Sequence, residues 1–279
     1  MLTSPFTSIA ENIPGAEGPI YDHDGRWFVV SSDGPILELL DSGQTREHAK
    51  TDGVPAGLQV DADNHLWLID AQLGVMKIDP QGQVTPAVTQ QYGMQLVGCN
   101  DGALDDAGHL YFTGPNGSGV ESPHGRVCCL LTDGTLRTVA EGFAFCNGLS
   151  VSPNNRVLVV AETWTKRLIA FDITEPGRLT NRRVFAELPG DDECGPDGID
   201  FDASGHLIST NYGNAELDVL DPSGQLVDRV KLPFDDVSNL HFGGSDGRDL
   251  VVTEHATPGV WKARWSVPGV RMSRACQIG

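Results

Sequence analysis

Short stretches of alternating apolar and polar residues recur along the chain, and each is broken by a turn rich in Asp, Asn and Gly. The clearest copy runs from Gly195 to Leu207, with Asp197 and Gly198 just before an alternating stretch at 199–201 and an Asp-Ala-Ser-Gly turn after it. Alternation with period two is typical of a strand with one buried face, and Gly with Asp is typical of a tight turn. Each copy therefore predicts two antiparallel strands joined by a hairpin.

The unit occurs six times, with copies that begin at residues 17, 56, 101, 147, 197 and 239. A third strand is predicted in each copy, at 36–40, 74–78, 126–131, 167–171, 216–220 and 259–265. A fourth, more variable strand leads to the next copy. Repeats of about 40–50 residues built from four short strands are the signature of a β-propeller. We therefore predict an all-β fold, a six-bladed β-propeller with four-stranded antiparallel blades around a central channel.

The sixth copy lacks an obvious fourth strand. Residues 6–12 are expected to supply it and to close the ring, which makes residues 1–279 one domain. From the residues alone, a two-domain chain and a β-sandwich remain alternatives.

Composition and charge narrow the classes of partner. The chain of 279 residues has a net charge of −19, which disfavours nucleic acid and anionic membranes. The start lacks the basic and apolar regions of a signal peptide, and no stretch approaches the length of a membrane span. Six cysteines without a paired spacing predict free thiols in a reducing compartment, so a cytoplasmic location is expected; they are Cys99, Cys128, Cys129, Cys146, Cys194 and Cys276.

The first position of each copy carries the candidate chemistry. In a propeller the first strand of every blade lines the channel, so equivalent residues converge; here they are Glu17, Ala56, Asp101, Asn147, Asp197 and Asn239. Carboxylates facing one another in a partly dry space are unfavourable without a cation. Because all candidate ligands are hard oxygens, the set favours Ca²⁺, with Mg²⁺ or Mn²⁺ as alternatives. The other interpretation is that these Asp and Asn residues only cap the strands.

The same residues lie in motifs that resemble one family of six-bladed propellers, that of SMP-30, gluconolactonase and luciferin-regenerating enzyme. The motifs span nearly the whole chain: IPGAEGP at 13–19, GCND at 98–101, NG at 147–148, DGIDFD at 197–202, SNLHF at 238–242 and VTEH at 252–255. Within the family the pattern is most similar to the calcium-dependent phosphotriesterases. In the sugar-lactone enzymes an Arg usually stands two positions before the Asn-Asp pair, where this chain has Gly98.

The resemblance implies a catalytic Ca²⁺ held by Glu17, Asn100, Asn147 and Asp197. Repeat alignment selects Asp101 in the third copy, whereas the family pattern selects its neighbour Asn100. We follow the family pattern, which leaves Asp101 and Asn239 as residues that support the ligands.

A second, structural Ca²⁺ is also implied, with Asp200, His241 and the main-chain carbonyl of Leu240 as ligands. Judged by its sequence position alone, His241 is more simply a core histidine. His255 matches a histidine beside the substrate, although a surface histidine after a strand fits the pattern equally well. The remaining pocket walls are expected to be Met94, Trp164 and Tyr212.

The resemblance predicts a Ca²⁺-dependent hydrolase for a small phosphotriester-type or related ester substrate, acting as a monomer or weak oligomer without nucleic acid or membrane partners. Either Asp197 attacks the substrate directly, or a water attacks after Asp197 or Glu17 has oriented or deprotonated it. A lactonase is the enzymatic alternative. A non-catalytic propeller that binds a partner and is stabilised by calcium is the alternative from another class.

Overall fold

A computed structural model of the protein describes residues 1–270, so Cys276 and the last part of the predicted domain, 271–279, lie outside the described residues. The described chain is almost entirely β-structure, with one 3₁₀ turn at Thr163–Thr165. The strands are β1 Thr7–Glu11, β2 Glu17–Tyr21, β3 Trp27–Val30, β4 Pro35–Leu39, β5 Thr45–Lys50, β6 Pro55–Val60, β7 Leu66–Asp70, β8 Gly74–Ile78, β9 Val84–Val88, β10 Gln90–Gln91, β11 Met94–Gln95, β12 Gly102–Leu104, β13 Leu110–Gly114, β14 Gly125–Leu130, β15 Leu136–Phe143, β16 Cys146–Val151, β17 Val157–Glu162, β18 Arg167–Glu175, β19 Arg178–Glu187, β20 Pro196–Phe201, β21 Leu207–Asn211, β22 Glu216–Leu220, β23 Leu226–Lys231, β24 Val237–Gly243, β25 Asp249–Glu254 and β26 Gly259–Arg264.

All of these strands except β10 and β11, which pair with each other, form six antiparallel four-stranded sheets, which confirms the predicted six-bladed propeller. Blades 1 to 5 are β2–β5, β6–β9, β12–β15, β16–β19 and β20–β23, each in chain order from the channel outwards. Blade 6 has the order β24-β25-β26-β1. The first strand of the chain thus closes the last blade, with Thr7 opposite Lys262 and Glu11 opposite Gly259, as the sequence predicted.

The hydrophobic core is divided among the spaces between blades. In the described residues each pair of neighbouring blades shares one apolar cluster; Phe28 of blade 1 and Leu68 of blade 2, for example, are both fully buried in one of them. Burying apolar side chains on both faces of each sheet is what stabilises the ring. The single domain over 1–279 stays a prediction.

The glycine that follows the channel position is needed for close packing of the inner strands. A Cβ on Gly198 would lie 2.3 Å from the Asn239 side chain, and a Cβ on Gly148 would lie 2.4 Å from the Asp197 carbonyl. Such distances are too short for any side chain, so the repeated Gly lets adjacent inner strands meet at the channel.

Two further findings bear on the composition. The five cysteines at positions 99, 128, 129, 146 and 194 are free thiols, and burial raises the pKa of the Cys146 thiol to about 12. Within residues 1–270, no helix has the length and hydropathy needed to cross a membrane.

Candidate metal centre in the channel

The hairpin turns fix which residue of each inner strand stands at the channel position. Each turn is closed by a main-chain hydrogen bond to the carbonyl of its first residue, such as Gly25 N to Asp22 O at 3.4 Å and Gly108 N to Asp105 O at 2.9 Å. Counting back five residues from the first turn residue, 22, 61, 105, 152, 202 and 244, gives Glu17, Ala56, Asn100, Asn147, Asp197 and Asn239. This count selects Asn100 in blade 3, whereas the main-chain N–H of Asp101 bonds Thr113 as that of Asn239 bonds Thr253. The choice of Asn100 as a ligand stays a prediction. We call Glu17, Asn100, Asn147 and Asp197 the upper tier.

Buried carboxylates dominate the electrostatics of this part of the channel. Asp197 and Asp101 are only 8% and 6% exposed. Burial, followed by the charges of Glu17 and Asp101, raises the pKa of Asp197 well above its ordinary value. Burial is also the main cause that raises the pKa of Asp101 to about 7, with Glu17 and Asp200 adding to it. Both groups are therefore held in a field that opposes their ionisation.

Asp101 reaches across the channel. Its Oδ2 accepts a hydrogen bond of 3.2 Å from Nδ2 of Asn239 in the opposite blade, and its Oδ1 accepts one of 2.7 Å from the main-chain N–H of Gly102. Oδ1 of Asn239 accepts from Leu240 N at 2.8 Å. Asp101 and Asn239 thus satisfy each other across the channel.

His255 lies beside Glu17. Its Nε2 is 3.5 Å from Glu17 Oε1 and is buried without a hydrogen-bond partner among the described residues. Burial lowers the pKa of His255, but the Glu17 carboxylate outweighs it and the net pKa is raised. The rings of Tyr212 and His255 meet at 5.8 Å, and burial raises the pKa of Tyr212 to about 12, with Asp236 and Asp197 contributing.

Thr163 is a neighbour of the upper tier that sequence reasoning missed. Its Oγ1 accepts a hydrogen bond of 3.2 Å from Asn147 Nδ2 and donates one of 2.8 Å to the carbonyl of Pro196. A signal existed in the repeat: Glu162, Asn211 and Glu254 are equivalent ends of the second strands, paired with the inner strands of blades 4, 5 and 6. The residues that follow them are Thr163, Tyr212 and His255, of which only the first was overlooked.

The second predicted ion site lies further along the inner strands. Nδ1 of His241 is 3.0 Å from Asp200 Oδ2. Asp200 also accepts hydrogen bonds from Phe201 N at 2.8 Å, Ser150 Oγ at 3.4 Å and Phe242 N at 3.4 Å. We call Asp200, Leu240 and His241 the lower tier.

A cavity of about 310 Å³ opens from the lower tier towards the turn end of the blades. Its wall includes Asp101, Asn239, Asp200, Leu240 and His241. The structure therefore gathers the residues named for the second ion around one solvent-sized space, next to the upper tier but distinct from it.

The predicted pocket walls differ in position. Trp164 follows Thr163 on the 3₁₀ turn, is 39% exposed, and contacts the ring of Phe145 at 5.5 Å. Met94 is 66% exposed on the hairpin β10–β11, and Gln91 of that hairpin binds Thr138 in the outer strand of blade 3. Gln95 of the same hairpin donates to the carbonyl of Gln72, between the second and third strands of blade 2. The pocket role of Met94 stays a prediction.

Gly98 is enclosed by a neighbouring loop. It has a φ of +67°, and a Cβ there would lie 2.5 Å from the Cα of Asn116. A basic side chain at this position would need both a different backbone and a displaced loop. The local structure explains why position 98 carries no arginine in this chain.

The donor set fits a hard divalent cation. Within residues 1–270, Glu17 is the upper-tier residue that forms an ion pair, and its partner is His255. No Lys or Arg in this range pairs with the buried Asp197 carboxylate. No three His, Cys, Asp or Glu side chains form a metal-binding cluster in this part of the chain, so the amide oxygens of Asn100 and Asn147 would be needed to complete the cage. Carboxylate and amide oxygens are what Ca²⁺ prefers.

The comparisons with known proteins agree with the motifs. Residues 15–256 match the family model described as SMP-30/Gluconolactonase/LRE-like region. Diisopropyl-fluorophosphatase of Loligo vulgaris is 35% identical over 293 residues, covering 95% of this chain and 93% of that protein. The structure of a gluconolactonase from Xanthomonas campestris is 25% identical with a TM-score of 0.82, covering 95% of this chain and 90% of that one.

A regucalcin from Agrobacterium tumefaciens, described as a calcium-binding protein, has the same fold, with a TM-score of 0.81 at 20% identity over 96% of this chain and 97% of that one. The match over residues 15–256 and the identity with the Loligo vulgaris protein together show the family. The chain belongs to the SMP-30/gluconolactonase/LRE-like family.

Proposed function

We propose that the protein is a Ca²⁺-dependent hydrolase of neutral phosphotriester-type or related esters, and that the upper tier is its catalytic centre. The observation that carries the proposal is the environment of Asp197, a buried carboxylate beside two others with no basic partner in the described chain. Perturbed carboxylates in a channel are typical of functional sites. The name of the Loligo vulgaris relative supports the substrate class.

Glu17, Asn100, Asn147 and Asp197 would hold the catalytic ion. When bound, Ca²⁺ would act as a Lewis acid that stabilises negative charge developing on a phosphoryl or carbonyl oxygen. Asp197 would then either attack phosphorus, displacing the leaving group and forming an acyl phosphate that water hydrolyses, or deprotonate the attacking water. His255, with its free Nε2 beside Glu17, would bind a substrate oxygen or a water.

The lower tier would hold the second, structural Ca²⁺. Asp200 supplies a carboxylate, Leu240 a carbonyl and His241 a ring nitrogen at the wall of the cavity. Binding there would stabilise the ring, because a ligand that binds only the folded state adds to its stability.

Two features support a neutral substrate without many hydroxyl groups. After burial, the charge of Glu17 raises the pKa of both Asp101 and Asp197, so an anionic substrate would be repelled until an ion compensates these carboxylates. The enclosed Gly98 leaves no basic side chain at the position where sugar-lactone enzymes carry arginine. Trp164 and Tyr212 are proposed as pocket walls beside the upper tier.

A lactonase is the second candidate, and the relatedness to the Xanthomonas campestris gluconolactonase supports it. Small esters and lactones would share the same polarised carbonyl chemistry at the upper tier. Neither candidate involves nucleic acid or a membrane, and a cytoplasmic monomer or weak oligomer stays our expectation.

The test is hydrolysis of diisopropyl fluorophosphate and of a panel of small lactones, including gluconolactone, before and after EGTA and after Ca²⁺ is restored. Fluoride release that is lost on chelation and regained with calcium is the expected result. Calcium-dependent lactone opening without fluoride release would transfer the assignment to the lactonase. Turnover of neither substrate, with calcium-dependent melting, would leave a calcium-stabilised binding propeller and overturn the proposal.

A further inference from the structure

We propose that Thr163 is a positioning residue that fixes the orientation of the Asn147 amide, so that its oxygen and not its nitrogen faces the cation site. This inference rests on the proposed calcium centre. It concerns how the protein prepares one neutral ligand before any ion arrives.

The direction of the two hydrogen bonds of Thr163 follows from chemistry. The Pro196 carbonyl can only accept, so the hydroxyl must donate its single hydrogen to it, at 2.8 Å. The oxygen of Thr163 is then an acceptor towards Asn147, at 3.2 Å. Only the NH₂ of the amide can donate to it, so Oδ1 of Asn147 is turned away from Thr163.

Burial stabilises the hydrogen bond between Thr163 and Asn147. Thr163 and Asn147 are 5% and 7% exposed, so water cannot readily replace the bond, and breaking it would leave a buried donor unpaired. Within residues 1–270 the Asn147 side chain makes its hydrogen bond through Nδ2, to Thr163. Oδ1 is thereby kept available as a ligand.

The same hydroxyl joins the two ligand-bearing strands. Asn147 lies on β16, and Pro196 is the residue directly before Asp197 on β20. One threonine thus ties the amide of one ligand to the backbone of the next. Outer partners of metal ligands commonly change metal affinity by about 10–100-fold when they are removed.

The experiment measures calcium affinity, not turnover. Protein stripped with EGTA and then freed of chelator is titrated with CaCl₂ in a calorimeter, for wild type, Thr163→Val and Thr163→Ser. We expect Thr163→Val to weaken one calcium site by about 10-fold or more and to leave the second unchanged. Thr163→Ser, which keeps the hydroxyl, should restore most of the affinity.

Thr210→Val is the matched control. Thr210 is also fully buried, and its hydroxyl lies 3.0 and 3.1 Å from two main-chain carbonyls, those of Gly198 and Ser238. Its loss removes the same chemical group without touching a ligand side chain. The melting temperature of calcium-free Thr210→Val should fall about as much as that of Thr163→Val, while its calcium affinities stay within about twofold of wild type.

Repeating the titration in the Asn147→Asp background distinguishes a loss of amide orientation from a general structural effect of Thr163→Val. In Asn147→Asp both terminal atoms are oxygens, so Thr163→Val should change calcium affinity much less there than in wild type. An equal effect in both backgrounds, or an unchanged affinity in Thr163→Val alone, would overturn the inference. Wild type that binds no calcium would instead refute the proposed function, so the two failures are distinguishable.

Discussion

The two tiers of the channel carry their charge in different ways. In the upper tier the Asp197 carboxylate is buried beside other carboxylates, which raise its pKa, and no Lys or Arg pairs with it in the described chain. In the lower tier Asp200 accepts three hydrogen bonds and lies 3.0 Å from His241 Nδ1. Among the described residues the Asp197 carboxylate thus has no basic partner, whereas the Asp200 carboxylate already faces three hydrogen-bond donors and the His241 ring.

This difference indicates different roles. Groups held in an unfavourable environment are common where a ligand or a reaction is to be stabilised, and well-satisfied buried groups contribute mainly to a single stable structure. We expect substitutions in the upper tier to change activity and binding of the catalytic ion, and those in the lower tier to change stability and binding of the structural ion.

Asp197→Ala is expected to have the largest effect, a loss of turnover. Removing a nucleophile or a charge-stabilising group typically lowers kcat by about 10³-fold or more, and Glu17→Gln should also abolish turnover. The measurement is calcium-dependent hydrolysis of the best substrate found, together with circular dichroism to show that the ring is folded. Asp191→Ala, which removes an exposed carboxylate from a nearby loop, is the control; activity retained in either upper-tier variant would contradict the catalytic assignment.

The next effect is on stability and comes from Asp200→Ala. Its three donors and His241 would lose their acceptor in a mostly buried site, a loss of about 2–3 kcal/mol. For a chain of this size about 1 kcal/mol changes Tm by about 2–4 °C, so Tm should fall by about 5–10 °C in calcium. Thermal melts should show a smaller decrease for calcium-free Asp197→Ala than for calcium-free Asp200→Ala. The reverse order would mean that the upper tier, and not the lower, stabilises the ring.

The smallest effect is a pH dependence of the calcium-free protein. The pKa of Asp101 is raised to about 7 and that of Asp197 is raised as well, so the folded state holds more protons than the unfolded state. Stability from these groups is full below their unfolded pKa values and is lost as pH rises through the folded ones. Melting in EGTA should therefore occur at higher temperature near pH 6 than near pH 8.

Calcium should reverse this trend, since protons and the cation compete for the same carboxylates. The increase in Tm on adding CaCl₂ should be larger near pH 8 than near pH 6. Asp101→Asn, which removes one of the titrating groups, should flatten the calcium-free profile. A calcium-free Tm that rises with pH over this range would contradict the electrostatic account of the upper tier.

Much of the fold was predictable because it is a local property repeated six times. The alternation of apolar residues, the Asp-Gly turns and the unit spacing each predict the same hairpin, and six hairpins with extra strands close into a propeller. The closing strand at the start of the chain was predictable too, because the sixth unit lacked a partner strand. Elements that depend on neighbouring residues can be recognised without the tertiary structure.

The candidate site was predictable in its residue types and less so in its contacts. In blade 3 the match of Asp101-Gly102 to the other Asp-Gly pairs selects Asp101, whereas counting back five residues from the turn at Asp105 selects Asn100. Asp101 instead crosses to Asn239, a partner 138 positions away along the chain. Thr163 was missed because its importance lies in one hydroxyl group between two strands.

The sequence by itself determined the six-bladed architecture and the family, since these depend on periodicity and on motifs of a few residues, and it predicted a ring of oxygen-bearing side chains. Only the tertiary structure decided which carboxylates face one another, which are compensated, and how Thr163 orients Asn147. The physical reason is that hydrogen bonds and charge interactions depend on distances of a few ångströms between residues far apart in sequence, and closure of the ring sets those distances.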